Sequence, residues 1–401
     1  MNPLYTTAIK RLAAFLLTLL CLSPAKGETT DKIAPDSSNF VIATLVTATP
    51  TDVIYSSFGH CALRLQCPSA SLDYCFSLEM DARPGDYFRF FTGKAMAAVV
   101  AVPTKEFIGV YGQEGRGVTE HELNLTHHEK QKLWRILDEE LVKPPHLKFD
   151  FLNTNCVMMS MFMIENCLIG EHLEFNRLPD ALNLDNGDII RYHSQDTPWA
   201  QFLYITLFGA ACDEHYDMEY RLSPKMIVEV LQDASIVGDS TAARPALTGV
   251  SHQLLTLQKP PRPSKTTPTQ VFTLLLAAVA CLSLWEWKKG TRPAHRIFDI
   301  TLLVMQTIIG LFLLYTSMVA NLFGAHWNWY LIPFNPIPLL AWLFLRKSSV
   351  YRYTYLVYTV VLAIFLLMTP LSSQIDLPHQ LITAALALRA FTKYIVSKKT
   401  F

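Results

Sequence analysis

The sequence lacks an excess of charge of either sign. Its 401 residues include 34 lysines and arginines and 34 aspartates and glutamates, so the formal net charge is zero. A chain that binds nucleic acid through its phosphates usually presents a strongly basic surface, and this balance predicts none. We therefore expect no nucleic-acid partner.

Charged residues are also scarce, at 17% of the chain against 51% hydrophobic residues. Soluble domains have about a quarter of their residues charged, so this composition is unusual for a fully soluble protein. The imbalance is uneven: residues before about Lys265 resemble a globular protein, whereas those after about Val271 are mostly apolar. A chain of this length has room for about two to three domains.

The N-terminus has the pattern of a secretory signal. Lys10 and Arg11 precede an apolar run over 12–20, and small residues favour cleavage before Glu28. The alternative is a lipoprotein site at Cys21, which the large Leu20 disfavours. We predict a signal peptide over 1–27 and an exported domain over 28–240.

The exported domain is predicted to be α+β, because strand-like segments come early and helical ones later. The predicted strands are 40–48, 60–65, 72–78 and 97–102. Thr126 and Glu129 form the pattern of a capping box, which predicts a helix from there to Leu141.

A linker rich in proline, serine and threonine is predicted over 241–270, followed by a transmembrane domain over 271–401. Its five apolar runs are predicted spans, at 271–287, 300–320, 329–345, 355–368 and 377–396. Lysine and arginine follow the first, third and fifth runs, whereas loops 321–328 and 372–376 have neither. The positive-inside rule then puts the N-terminal domain outside. Arg389, within the last run, is expected to snorkel to the cytoplasmic face.

Cys156 is the candidate nucleophile. It follows a polar turn and opens an apolar helix, where the helix dipole and unpaired N–H groups favour a thiolate. His60 is the candidate base, since a cysteine and a histidine from separate elements are the usual pair of thiol enzymes. The alternative is that both are buried core residues.

The remaining cysteines and histidines have no spacing typical of a zinc site, so we predict no metal and no other cofactor. An oxidising compartment favours disulfides between exported cysteines. Cys67 with Cys75 is the first candidate pair, and Cys167 with Cys212 is the second.

Several segments resemble the Lnb family of lipoprotein N-acyltransferases, namely 57–64, 114–120, 123–126 and 150–156. Residues around Pro198, Gly209 and Asp213 and the multi-span tail are also similar. Two features depart from the family pattern, since no arginine follows Cys156 closely and the acidic residue after the histidine strand matches only loosely, at Glu79.

The resemblance implies an α+β, permuted papain-like (NlpC-type) exported domain followed by an all-α transmembrane domain of five helices. Cys156 and His60 would be catalytic, and either Glu79 or Asn153 would orient His60; the alternative is that each is a solvated polar group. Four further residues would bind substrate: His326, Asn328, Asn335 and Arg116. For His326 the alternative is that it only accompanies the interfacial aromatic anchors on either side of it. The protein would lie in the bacterial inner membrane as a multi-pass protein, with its catalytic domain in the periplasm.

The implied reaction moves an acyl chain from a membrane phospholipid, through a thioester on Cys156, to the α-amine of a diacylglyceryl-cysteine lipoprotein. Two alternatives stay open. One is an NlpC-type cysteine peptidase or amidase that acts on peptidoglycan, although such an enzyme needs one tether rather than five spans. The other is a non-catalytic membrane receptor, whose thiol would have ordinary reactivity.

Overall fold

An antiparallel sheet of seven strands forms the centre of the N-terminal half. The computed structural model describes residues 41–51, 57–80, 89, 92–149, 154–175, 185–214, 223–239, 241–259, 265–320, 327–346, 348, 350–372 and 374–398. The predicted signal peptide and the predicted site residues Asn153 and His326 lie outside the described residues.

The large sheet has the strand order β10-β5-β1-β2-β3-β4-β6, and a second sheet has the order β7-β8-β9. The strands are β1 (Ile42–Ala48), β2 (His60–Cys67), β3 (Leu72–Met80), β4 (Met96–Pro103), β5 (Val118–Leu123), β6 (Leu147–Lys148), β7 (Glu171–Phe175), β8 (Ala234–Gly238), β9 (Thr241–Pro245) and β10 (Leu247–Leu255). All four predicted strands are confirmed, as β1 to β4. Helices dominate towards the C-terminus, so the fold is mixed α/β.

The described helices follow the same chain order. They are α1 (Thr104–Glu114), α2 (His127–Leu141), α3 (Cys156–Cys167), α4 (Asn186–Ser194), α5 (Pro198–Phe208), α6 (Pro224–Asp233), α7 (Pro268–Lys289), α8 (Pro293–Leu314), α9 (Ile337–Leu345), α10 (Tyr351–Leu367) and α11 (Leu377–Lys398). The predicted capping box is confirmed at the start of α2, where Thr126 and Glu129 bond each other's backbone N–H groups.

Glu129 has a second partner, Arg244 of β9. The guanidinium bonds both carboxylate oxygens of Glu129, at 2.9 and 2.8 Å, and also bonds Glu171 and the carbonyl of Asn124. The side chain of Glu129 is 2% exposed, so its charge depends on this partner. Arg244 thereby ties the small sheet to the start of α2.

Arg244→Met is expected to lower the free energy of unfolding by about 3 kcal/mol, because it leaves buried carboxylates without their cation. Thermal unfolding of the full chain, followed by tryptophan fluorescence, measures this. Lys225→Met is the matched control, since Lys225 and Glu229 form an exposed pair and the expected change is about 0.5 kcal/mol or less. Equal losses in the two variants would contradict the structural role of Arg244.

The chain divides into two compact units with boundaries that differ from the predicted ones. The first contains residues 1–180 and 218–261, and the second contains residues 181–217 and 262–401. The predicted linker is wrong over 241–255, which form β9 and β10, and β10 pairs with β5 in the large sheet. β10 is an edge strand that is exposed along most of its length. Its exposed middle, residues 248–253, is mostly polar and resembles a linker in composition.

Two described helices of the second unit are long and apolar enough to cross a membrane by length and composition: α7, and α8 with its π-helical extension to Val319. α10 is a shorter apolar helix. The predicted third span differs, since 329–345 contains a 3-10 turn (Trp329–Leu331) and then α9. Pro333 and Pro336 explain the break, because proline cannot donate the helical hydrogen bond.

The prediction that Arg389 snorkels is wrong. Its side chain is 4% exposed and contacts the carboxylates of Glu286 at 2.6 Å and Asp299 at 2.5 Å. Lys393 bonds the same two carboxylates. Two cations and two anions thus join α7, α8 and α11, because pairing within the protein neutralises the charges where water is scarce.

Candidate functional site

Cys156 lies at the first position of α3, as predicted. Asn155 caps the helix, and its side-chain oxygen accepts a hydrogen bond from the N–H of Met158 at 2.9 Å. The rest of α3 is apolar, and Val157, Met161 and Ile164 are buried. The core therefore holds the helix while its polar N-terminal end presents the thiol. An anion at this end is favoured by the helix dipole.

His60 is the first residue of β2, where it pairs with Ala48 of β1. Gly59 precedes it with a φ of +91°, and a Cβ there would lie 2.6 Å from the carbonyl oxygen of Ala48. Only glycine fits this close approach without strain. Gly59 thus allows the backbone to approach Ala48 closely at the start of β2, where His60 pairs with Ala48.

The structure brings His60 and Cys156 together, although 95 residues separate them in the chain. Their side chains lie close enough for each to favour the charged form of the other, and the backbone of Cys61 also favours the thiolate of Cys156. One turn later in α3, Ser160 accepts a hydrogen bond from the thiol of Cys61 at 3.3 Å. β2 therefore contacts the first turn of α3 at successive residues.

Each member of this pair shifts the pKa of the other. Burial by itself would lower the pKa of His60, but the charge and hydrogen bond of Cys156, with Glu79, outweigh it and raise the pKa to about 10. Burial would likewise raise the pKa of Cys156, but the charge and hydrogen bond of His60 lower it below the ordinary 9.0. The two shifts favour a thiolate–imidazolium pair over a neutral thiol and a neutral imidazole.

Of the two candidates for a third residue, only Glu79 lies within the described residues. It contacts His60. Its Oε1 lies 3.4 Å from Nε2 of the imidazole, and the Ser77 hydroxyl donates to the same oxygen at 2.9 Å. Ser77 and Glu79 are two residues apart on β3, so both face the same side of the sheet. The carboxylate can therefore orient the ring and stabilise its protonated form.

Glu79→Gln is expected to lower turnover by about tenfold, since an amide can still accept the hydrogen bond but no longer balances the imidazolium charge. The measurement is the rate of the reaction proposed below, at saturating substrate. Glu106→Gln, an exposed glutamate on α1, is the control and should leave the rate unchanged. A full rate in Glu79→Gln would remove Glu79 from the site.

Two aromatic side chains of α1 lie near His60. The ring centroids of Phe107 and Tyr111, both on α1, lie 6.2 Å from that of His60. Arg116 packs on Tyr111, with Cζ 4.5 Å from the ring centroid. The sequence reasoning missed Ser77, Phe107 and Tyr111. The two-residue spacing to Glu79 in β3 and the four-residue spacing of the aromatics in α1 are the signals that indicate them.

Comparison with known proteins gives two matches along the chain. Residues 28–193 match the Lnb N-terminal periplasmic domain, and residues 261–400 match the Lnb transmembrane domain. The chain belongs to the Lnb family. No curated protein and no solved structure gives a significant match. The family membership predicted from the sequence is confirmed, and this Lnb protein is a bacterial membrane protein with a periplasmic and a transmembrane domain.

One contact agrees with the predicted orientation of the Lnb chain. Arg191 of α4 falls within the match to the periplasmic domain, and its Nε donates to Asp376 at 2.9 Å. Asp376 lies in the loop before α11, and Ser372 of the same loop donates to the carboxylate of Asp213. This loop has neither lysine nor arginine. Both observations agree with the positive-inside expectation for this loop, and its periplasmic position stays a prediction.

Three predicted substrate-binding residues of the Lnb chain have partners within the protein. Asn328 is fully buried and bonds Thr206, Tyr330 and Gln374. Asn335 bonds the carbonyl of Ile332 and the N–H of Ile337, in the turn before α9. Arg116 is 4% exposed, and its Nε donates to the carbonyl of Thr49. The substrate-binding role of these residues stays a prediction.

The predicted disulfides are wrong, because the cysteines of the described residues are all free thiols. In the strand register Cys67 pairs with Leu72 and Cys75 with Arg64, so the two thiols are not opposite each other. The thiol of Cys75 instead contacts Thr104 at 3.5 Å. Cys167 and Cys212 are both buried and unbridged.

Proposed function

We propose that this Lnb-family protein is a lipoprotein N-acyltransferase in which Cys156 carries the acyl group as a thioester. The observation that carries the proposal is the approach of the start of β2 to the start of α3, where Cys61 bonds Ser160 at 3.3 Å and where His60 and Cys156 each favour the charged form of the other. A thiolate paired with an imidazolium is the activated nucleophile of thiol enzymes. A transmembrane domain on the same chain suits an acyl donor and a lipidated acceptor that both lie in a membrane.

In the first half-reaction the thiolate of Cys156 attacks the carbonyl carbon of a phospholipid ester. A carbon–sulfur bond forms and the ester carbon–oxygen bond breaks, while the His60 imidazolium gives its proton to the leaving glycerol oxygen. The products are a lysophospholipid and the acyl thioester. The backbone N–H of Cys156, in the first turn of α3, is the candidate donor to the developing oxyanion.

In the second half-reaction the free α-amine of a diacylglyceryl-cysteine lipoprotein attacks the thioester carbon. His60, now neutral, accepts the amine proton as the carbon–nitrogen bond forms and the carbon–sulfur bond breaks. The thiolate and the imidazolium are restored together. Glu79 contributes in both halves by stabilising the protonated ring.

The proposal includes a permuted papain-like (NlpC-type) periplasmic domain, five membrane spans and a place in the inner membrane. The order of the site supports the permutation, since the histidine strand β2 precedes the cysteine helix α3 in the chain. The five apolar runs support the number of spans.

The test uses full-length protein in vesicles that contain a phospholipid with an alkyne-tagged acyl chain. We expect the tag on Cys156 in the absence of acceptor, and its transfer to the N-terminus of a diacylated lipopeptide when that is added. A second arm offers peptidoglycan fragments. Cleavage of those fragments with no tag on Cys156 would overturn the acyltransferase proposal in favour of a peptidase.

A further inference from the structure

The His60 imidazole is enclosed by two aromatic rings of α1. Phe107 and Tyr111 are separated by one helical turn, so both project from the same face of the helix. The ring plane of Tyr111 is within 25° of the imidazole plane, and the two aromatic rings contact each other edge to face. Both aromatic residues are buried. The imidazole therefore has little room to rotate away from Cys156 on this side.

Arg116 fixes Tyr111 in turn. α1 ends at Gly115, whose φ of +73° turns the chain back, and the N–H of Arg116 bonds the carbonyl of Tyr111. Nε of the guanidinium donates to the carbonyl of Thr49 at 2.7 Å. Thr49 directly follows β1, whose last residue pairs with His60. The ring and the imidazole are thus anchored to the same end of the sheet.

We propose that Tyr111, held by Arg116, is a positioning residue for His60: its ring keeps the imidazole in contact with Cys156 and favours the protonated imidazole. A cation is attracted to the face of an aromatic ring. The 6.2 Å between centroids is at the outer limit of such contacts, so the electrostatic part is small and the positional part dominates.

Among the described residues, two charged groups act on His60. Cys156 of α3 and Glu79 of β3 contact the imidazole directly. Arg64, on the same face of β2, is held by carboxylates of Asp73 and Glu120 at 2.8 and 2.6 Å. Phe107 and Tyr111 carry no charge. Their effect on His60 can therefore be tested by substitutions that leave its charged partners unaltered.

The experiment measures two quantities in full-length Tyr111→Leu. The first is the rate of alkylation of Cys156 by iodoacetamide from about pH 5 to about pH 10, followed by mass spectrometry of its peptide. We expect the midpoint to rise by about half a pH unit. The second is acyl transfer, where turnover should fall by about tenfold with little change in KM, because the base is misplaced.

Tyr111→Phe keeps the ring and should restore both quantities. Val110→Ala, an exposed neighbour on α1, controls for general damage to the helix. If Tyr111→Leu does not fold, Tyr111→Met carries the test, since it also removes the ring and alters no charge; the expected shift has the same direction.

An unchanged alkylation profile in Tyr111→Leu, or equal shifts in Tyr111→Leu and Tyr111→Phe, would overturn the inference. It rests on the His60–Cys156 pair of the proposed function. Alkylation needs no acyl substrate, however, so a shifted profile in a protein that fails to transfer acyl groups would support the positioning role and reject only the reaction.

Discussion

Replacing Cys156 with alanine is expected to lower lipoprotein acylation by at least about a thousandfold, because the variant cannot form the thioester. Membrane access and substrate binding do not compensate, since neither supplies a nucleophile. The measurement is the mass of a lipoprotein N-terminus, in vesicles that contain either the variant or the unaltered chain.

Cys167→Ala is the matched control for this loss. It makes the same substitution at the other end of α3, in a buried thiol bonded to the carbonyl of Ile164. We expect acylation within about twofold of the unaltered protein, because a single buried thiol contributes little to packing. Acylation that persists in Cys156→Ala, or that is lost equally in Cys167→Ala, would contradict the thioester mechanism.

Replacing His60 with glutamine is expected to move the midpoint of Cys156 alkylation to about pH 9 or above. His60 lowers the pKa of Cys156 through its charge and hydrogen bond, and without it the opposing effect of burial remains. The pKa of Cys156 is therefore expected to rise in His60→Gln. In the unaltered protein the ion pair should persist from the lowered pKa of Cys156 to about pH 10, where the imidazolium loses its proton.

Two effects decide the size of the change at pH 7 in His60→Gln. The thiolate fraction falls because the pKa of Cys156 rises, and the greater nucleophilicity of the more basic thiolate offsets part of this loss. We expect a net fall in the alkylation rate of about tenfold. His128→Gln, an exposed histidine on α2, is the control. An unshifted midpoint in His60→Gln would mean that the imidazole does not activate the thiol.

Local patterns in the sequence predicted the elements that present the site. Strand-like segments, the first of them β-branched, predicted β1 to β4, and the polar turn before Cys156 predicted the start of α3. The capping box predicted the start of α2. Each of these signals lies within a few residues, so propensity and capping are sufficient to produce it.

Long-range pairing explains what the sequence reasoning got wrong. β10 is exposed and polar, so its place in the sheet depends on the edge offered by β5. Residues 185–214 join the membrane unit through contacts such as Arg191 with Asp376. Arg389 is buried because Glu286 and Asp299 come from two other helices. A local sequence pattern does not indicate which distant residue will form an ion pair with a given charge.

The sequence by itself determined that the chain belongs to the Lnb family and that its C-terminal part is apolar. It also determined that His60 follows a glycine at the start of a strand and that Cys156, later in the chain, opens a helix. Only the tertiary structure decided that His60 contacts Cys156 and Glu79, with Tyr111 and Arg116 around them. The physical reason is that a pKa depends on burial and on charges a few ångströms away, and folding alone creates those distances.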